Sequence, residues 1–257
     1  MQKLYLGTNT KMYKTIADTV GFLAKLSSNT ADLPRDDLEL FVIPSFTALK
    51  DARSCVPKES ITLGAQNMGW EDQGQFTGEI SPLMLKEVGV EIVEIGHSER
   101  RHVLHETDEE ENKKVNCALR HGLRPLLCVG ETLEQKNQEI SDDILRIQLK
   151  IGLQGVSPED TRMLMIAYEP VWAIGVSGIP ASSEYVRARH AVIRKTLIEL
   201  FGSAGDHIPL LYGGSVNETN CEGLIALPIV DGLFIGRSAW DADGFNNIIR
   251  KVIKAVR

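Results

Sequence analysis

Glu169, His97 and Lys11 lie far apart along the chain, yet they are the side chain types that a proton transfer at carbon requires. Glu169 closes the short apolar run Leu164-Met165-Ile166-Ala167-Tyr168 and is followed by Pro170. A β-rich run ending in one acid reads as a buried strand that delivers a carboxylate to a rim. Apolar and aromatic neighbours should raise the pKa of that carboxylate by desolvation, which suits a general base. His97, in Gly96-His97-Ser98-Glu99, would as a neutral imidazole donate a hydrogen bond to a developing enediolate, and Lys11 would balance its charge. Such a set moves a carbonyl by one carbon. Each residue alone has a plainer explanation: Glu169 a strand-end ion pair, Lys11 a solvated lysine, His97 a satisfied structural histidine, Asn9 a turn former.

Glycines stand near these groups. Gly213-Gly214-Ser215 and Gly236-Arg237-Ser238 read as two turns able to aim backbone N–H groups at a phosphate, or simply as tight turns. The loop from Pro170 to Ala181 is apolar at its centre and has prolines near both ends, which predicts a lid that excludes water rather than a plain polar connection. His102, His105 and Glu106 match no standard metal-ligand spacing, and no metal site is expected there. Glu109-Glu110-Glu111 reads as the acidic first turn of a helix.

The elements that must position these residues follow from alternating short apolar runs and longer amphipathic segments. Strands are expected at 4–7, 38–43, 61–65, 91–95, 125–129, 165–168, 209–212 and 233–235. Helices are expected at 15–26, 47–53, 82–88, 109–121, 141–153, from 183 to just before Gly202, at 218–225 and at 245–256, with Gly122 and Gly202 as stops. Eight strand–helix pairs in this length predict an α/β fold, a closed parallel (β/α)8 barrel. The strands are apolar throughout, as expected when helices cover the sheet. A doubly wound open sheet is the alternative, but no glycine fingerprint follows the first strand. With no linker or composition break, residues 1–257 are expected to form one domain. In such a barrel the site lies at the carboxyl ends of the strands, and that is where Asn9, Lys11, Gln66, Asn67, His97, Glu99, Glu131 and Glu169 collect.

Composition narrows the partners. The chain has 257 residues, 43% of them hydrophobic and 25% charged, which is ample for a sizeable core. A net charge of −7 gives no electrostatic case for nucleic acid or an anionic membrane, so an anionic ligand must be held by local groups. No long apolar span or leader pattern is read, and Cys55, Cys117, Cys128 and Cys221 are widely spaced; reduced thiols in a cytoplasmic protein are expected.

At these residues the chain resembles the triosephosphate isomerase family over nearly its whole length. The matching stretches are Asn9-x-Lys11-Met12, Gly64-Ala65-Gln66-Asn67, Phe76-Thr77-Gly78-Glu79-Ile80-Ser81 and Gly96-His97-Ser98-Glu99-Arg100-Arg101. Further on come Cys128-x-Gly130-Glu131-Thr132, the run from Ala167 to Gly175, and Tyr212-Gly213-Gly214-Ser215-Val216. The resemblance implies Glu169 as base, His97 as electrophile and Lys11 as electrostatic partner, with Asn9 and Glu99 in support, the glutamate and neutral histidine being that family's known pair. It also implies phosphate binding by Gly175, Ser215 and Gly236, with Arg237 beside them, and no metal or organic cofactor. A homodimer is implied too, with the Gln66–Glu79 loop inserted into the neighbour near its Lys11.

The chain departs from the usual family pattern at Thr10, where Trp is common, and at Tyr13-Lys14. The lid, Gly175-Val176-Ser177-Gly178-Ile179-Pro180-Ala181, is one residue longer than usual, and Arg237 replaces the second glycine of the last phosphate turn. A lid and phosphate turn altered together suggest a changed substrate. They are similar to the paralogous branch that interconverts L-erythrulose 1-phosphate and D-erythrulose 4-phosphate in erythritol breakdown, although Thr10 departs from that branch as well. Glycolytic triosephosphate isomerase is the nearest alternative. A Schiff-base aldolase would need a lysine aimed at a carbonyl carbon, with Lys11 the single candidate. A phosphate-binding barrel without catalysis would need no base.

Overall fold

The computed structural model describes residues 3–175 and 178–256. Eight strands form a closed barrel in sequential order, every described pairing being parallel. The elements run β1 (Leu4–Asn9), α1 (Ile16–Asn29), β2 (Leu38–Ile43), α2 (Leu49–Cys55), β3 (Thr62–Ala65), α3 (Pro82–Glu87), β4 (Ile92–Ile95), α4 (Ser98–His102) and α5 (Asp108–Arg120). They continue with β5 (Arg124–Val129), α6 (Leu133–Asn137), α7 (Ser141–Gly152), β6 (Met165–Tyr168), α8 (Ser183–Phe201), β7 (Leu210–Tyr212), α9 (Cys221–Ile225), β8 (Gly232–Phe234) and α10 (Ala242–Val256).

The expected eight pairs are all present, and the differences are local. β8 begins and ends one residue earlier than the apolar run suggested, and α9 starts at Cys221 rather than Glu218, because Asn217 and Asn220 fold the preceding residues into a side-chain-bonded turn. The short helices α4 and α6 had no periodicity long enough to announce them. α6 is started by Thr132 and Gln135, which cap each other's backbone N–H groups. α1 and α5 begin with the same device, Thr15 with Asp18 and Thr107 with Glu110.

Two apolar layers hold the barrel. The larger lies between strands and helices and includes Leu6, Leu40, Val93, Ile95, Leu127, Ile166, Tyr168, Leu210, Leu233 and Phe245. The smaller fills the barrel interior with Phe41, Ile43, Ile92, Leu126, Cys128, Met165, Ala167, Leu211 and Phe234, against Tyr5. Side chains alternate between these layers along each strand, so both faces are apolar and no polar stripe appears. The inward set is interrupted by carboxyl side chains at two levels. Near the amino ends of the strands, Glu39 of β2 meets Arg124 of β5 at 2.7 Å and Lys3 at 2.9 Å. One pleat above Ile92, β4 turns Glu94 into the interior, fully buried. No helix among the described residues is long and apolar enough to cross a membrane.

Candidate active site

The residues flagged for chemistry meet at the carboxyl end of the barrel. Asn9, Lys11, His97, Glu169, Gly175, Ser215, Gly236 and Arg237 all line one pocket. Glu99 stands at its edge, half exposed, and pairs with Lys11 at 2.6 Å.

Lys11 follows β1 with a φ of 50°, a left-handed conformation that non-glycine residues seldom adopt. Two bonds hold it there: its backbone N–H donates to Asn9 Oδ1 at 2.6 Å, and Gln66 Nε2 donates to its carbonyl at 2.8 Å. The strained backbone is thus fixed by side chains at the ends of β1 and β3, which is how a long, flexible side chain acquires a defined origin.

His97 ends the turn after β4 and caps α4. Its Nδ1 accepts the Glu99 N–H at 3.1 Å, so the ring proton sits on Nε2, the nitrogen that looks toward Glu169. Burial, with the charge of Lys11 added, lowers its pKa to about 4, and the imidazole is neutral at physiological pH. Gly96 makes the turn possible. Its φ is +76°, and a Cβ there would collide with Arg101, Glu111 and the Cys128 carbonyl. Those two side chains form a buried pair behind the turn, and Arg101 also donates to the Gly96 and Cys128 carbonyls.

Glu169 extends β6 by one residue, its N–H donating to the Val129 carbonyl at 2.8 Å. The side chain is buried against Gly213, where a Cβ would stand 2.6 Å from Glu169 Cγ; the glycine therefore clears space for the carboxyl. Its Oε2 lies 3.8 Å from His97 Nε2 and has no hydrogen-bond partner among the described residues. Burial raises the Glu169 pKa to about 7, against the pull of the Lys11 charge. A buried carboxyl without a cation in contact, beside a neutral ring that offers an N–H, is equipped to take a proton from carbon while the ring steadies an adjacent oxygen.

The lid's first residues are tied down from below. Trp172 Nε1 donates to Glu131 Oε1 at 2.9 Å, and the hydroxyls of Tyr168 and Tyr185 donate to the same carboxylate. Ser215 Oγ donates to the Ala173 carbonyl at 2.8 Å and so braces the lid base from the pocket side. Gly175 has a φ of +84°. The lid centre, Val176 and Ser177, lies outside the described residues.

Around the last turn, Trp240 Nε1 donates to the Asn9 carbonyl and its ring lies 4.5 Å from that of Tyr13. Thr10 is fully buried and does not line the pocket. The Glu106 carboxylate is occupied by Arg100, Lys114 and Asn67. Glu131, expected at the rim, is fully buried under the lid base. Glu94, not among the expected site residues, sits under the pocket with Oε2 2.6 Å from Asn9 Nδ2. A lone acid inside the apolar run 92–95 was the one signal available for it.

A closed (β/α)8 barrel with a buried carboxyl, a neutral imidazole and a lysine at its carboxyl-terminal mouth places the molecule among barrel enzymes that work at that end. The sequence pattern of triosephosphate isomerase matches residues 4–252, and the chain belongs to that family. It is 48% identical over 255 residues to L-erythrulose-1-phosphate isomerase of Rhizobium etli, covering 98% of this chain and 94% of the relative. The protein of the same description from Brucella abortus is 46% identical over 259 residues, covering 100% and 99%. The crystal structure of triosephosphate isomerase from Bartonella henselae superposes with a TM-score of 0.87 at 36% identity, covering 98% of this chain and 99% of that one.

Proposed function

We propose that the protein is a sugar-phosphate isomerase that interconverts L-erythrulose 1-phosphate and D-erythrulose 4-phosphate. The observation that carries the reading is identity of 44–48% over nearly the full length with relatives described as L-erythrulose-1-phosphate isomerase, above the 36% shared with the Bartonella triosephosphate isomerase. The pocket supports it chemically. In the four-carbon ketose phosphate the carbonyl is at C2 and the proton to be moved is on C3. Glu169 takes that proton, leaving an enediolate across C2 and C3. The Nε2–H of His97 and the ammonium of Lys11 stabilise the oxygens as charge develops, and Asn9 and Glu99 hold Lys11 in place. Return of the proton to C2 leaves the carbonyl on C3, which is C2 when the product is numbered from its other end. Gly175, Ser215, Gly236 and Arg237 border the space for the phosphate, where the overall charge of −7 supplies no attraction and local donors must.

Side-by-side kcat/KM on L-erythrulose 1-phosphate and on glyceraldehyde 3-phosphate tests the assignment. The four-carbon substrate should win by a wide margin; a preference for the triose would overturn the four-carbon reading and leave a triosephosphate isomerase.

We read the working form as a cytoplasmic homodimer. Met12 and Tyr13 after β1, Phe76 within the Gln66–Glu79 loop expected to insert into the neighbour, and Val103 and Leu104 just after α4 are exposed apolar side chains. All four cysteines are free thiols, as a reducing compartment would keep them. Light scattering coupled to size exclusion should return twice the 28.4 kDa chain mass, and a monomer would end this reading.

A further inference from the structure

Glu94 is a buried carboxyl that the proton transfer above does not use. It occupies the inward position of β4 above Ile92, and its Oε2 accepts a hydrogen bond from Asn9 Nδ2 across the barrel at 2.6 Å. The other side of the same amide faces two donors. Asn9 Oδ1 accepts from the backbone N–H of Lys11 at 2.6 Å and from Gln66 Nε2 at 3.1 Å. A backbone N–H can only donate, so the amide has one orientation, with its NH2 toward Glu94 and its oxygen toward Lys11. Remove the acceptor below, and the anchor of the left-handed Lys11 backbone loosens.

An oxygen of Glu94, an oxygen of Glu169 and the Cys128 sulfur lie within 4.8 Å of one another, all fully or almost fully buried. Glu169 must be a carboxylate to act as base, and an enediolate anion must then form in the same pocket. A second carboxylate at that distance would oppose both. We propose that Glu94 is a positioning residue, an uncharged carboxylic acid in the barrel interior that orients the Asn9 amide, and through it Lys11, beneath the substrate. Oε2 accepts from Asn9, which leaves Oε1 to carry the proton, and that oxygen also accepts from the Cys128 thiol at 3.8 Å. The groups facing it are Asn9 from β1, Cys128 from β5 and Glu169 after β6, while Lys11 and Glu99 act through charge at longer range. Burial and then the charge of Glu169 hold the Glu94 pKa well above the carboxylate range. The positioning role rests on the isomerase reading; the uncharged state does not.

Glu94→Gln and Glu94→Leu test it. Gln keeps an oxygen for Asn9 and carries no charge, so kcat/KM at pH 7 should stay within about threefold of the parent, and the alkaline fall of the pH profile should move to higher pH. Leu removes the acceptor and should lose about tenfold to a hundredfold, the range expected when a buried donor loses its partner. Equal losses in both variants, full activity in Leu, or an unmoved alkaline limb in Gln would each overturn the role. A substrate-free measurement accompanies these. A carboxyl whose folded pKa is raised costs stability as pH climbs past the unfolded value near 4.3, so the thermal midpoint of Glu94→Gln should gain on the parent from about pH 5 upward. A gap that stays flat or shrinks means an ionised Glu94 and overturns the proposal, even if Gln is active. A parent inactive on both phosphosugars would overturn the isomerase reading and the positioning role together, with the thermal gap still deciding the protonation state.

Discussion

The barrel interior holds buried glutamates near both ends, and the fold treats the two ends in opposite ways. Near the amino ends of the strands, Glu39 reaches across to Arg124 and out to Lys3. Burial alone would raise its pKa, but the two cations outweigh burial and hold the carboxyl below its ordinary value. At the carboxyl end, Glu94 and Glu169 have no Lys or Arg in contact among the described residues; the one lysine nearby is drawn to Glu99 instead. Their pKa values rise. Burial alone therefore does not set the state of these three acids; the presence or absence of a contacting cation does. Its two cations keep Glu39 a carboxylate over the working pH range, whereas an unpaired carboxyl near neutrality can give and take a proton.

Removing each acid in turn separates the two ends most sharply. Glu169→Gln should lower kcat by about a hundredfold to ten-thousandfold with little change in KM, since the proposed base acts only in the proton transfer. Glu39→Gln should leave kcat alone and instead lower stability, by about 1–3 kcal/mol in chemical denaturation, because Arg124 would lose its charge partner while remaining three-quarters buried. A Glu39 variant that lost turnover would break the comparison.

pH offers the next test, and the signs differ between the ends. kcat/KM should rise with pH through about 7 as Glu169 in the free enzyme loses its proton. Stability from Glu39 is present above the unfolded carboxylate value and lost as pH falls through its depressed folded value. Glu94 and Glu169 work the other way: their raised values make the folded state less stable as pH climbs from the unfolded value near 4.3. The pH of greatest thermal stability should therefore fall on the acid side of the pH of greatest activity, and coincidence of the two maxima would argue against unpaired acids at the mouth.

The smallest expected effect concerns another buried acid, Glu131, which has no cation paired with it among the described residues and no part in the proposed proton transfer. It gathers the hydroxyls of Tyr168 and Tyr185 and the indole N–H of Trp172 under the lid. Trp172→Phe deletes one of these bonds and should change kcat by about twofold to tenfold, while the acid limb of the kcat/KM profile stays in place. A displaced limb would mean that Glu131 reaches the base electrically rather than through the lid.

Most of this architecture could be read from the chain. Alternating apolar runs and amphipathic helices predict a parallel barrel, because a sheet covered by helices needs apolar residues on both faces of every strand. Once the barrel is assumed, counting strand ends places Asn9, Lys11, His97 and Glu169 at one mouth, since every parallel strand points the same way. What the chain could not reveal by itself was which inward neighbours meet across the interior. β1 and β4 are not adjacent in the sheet, so no local rule brings Asn9 to Glu94, just as none brings Glu39 of β2 to Arg124 of β5. The same limit hid α4, too short for periodicity and recognisable only through the His97 cap that orients its imidazole. Sequence determines the direction and pleat of each strand; closure of the barrel alone decides which buried charges acquire partners, and so which remain free to move a proton.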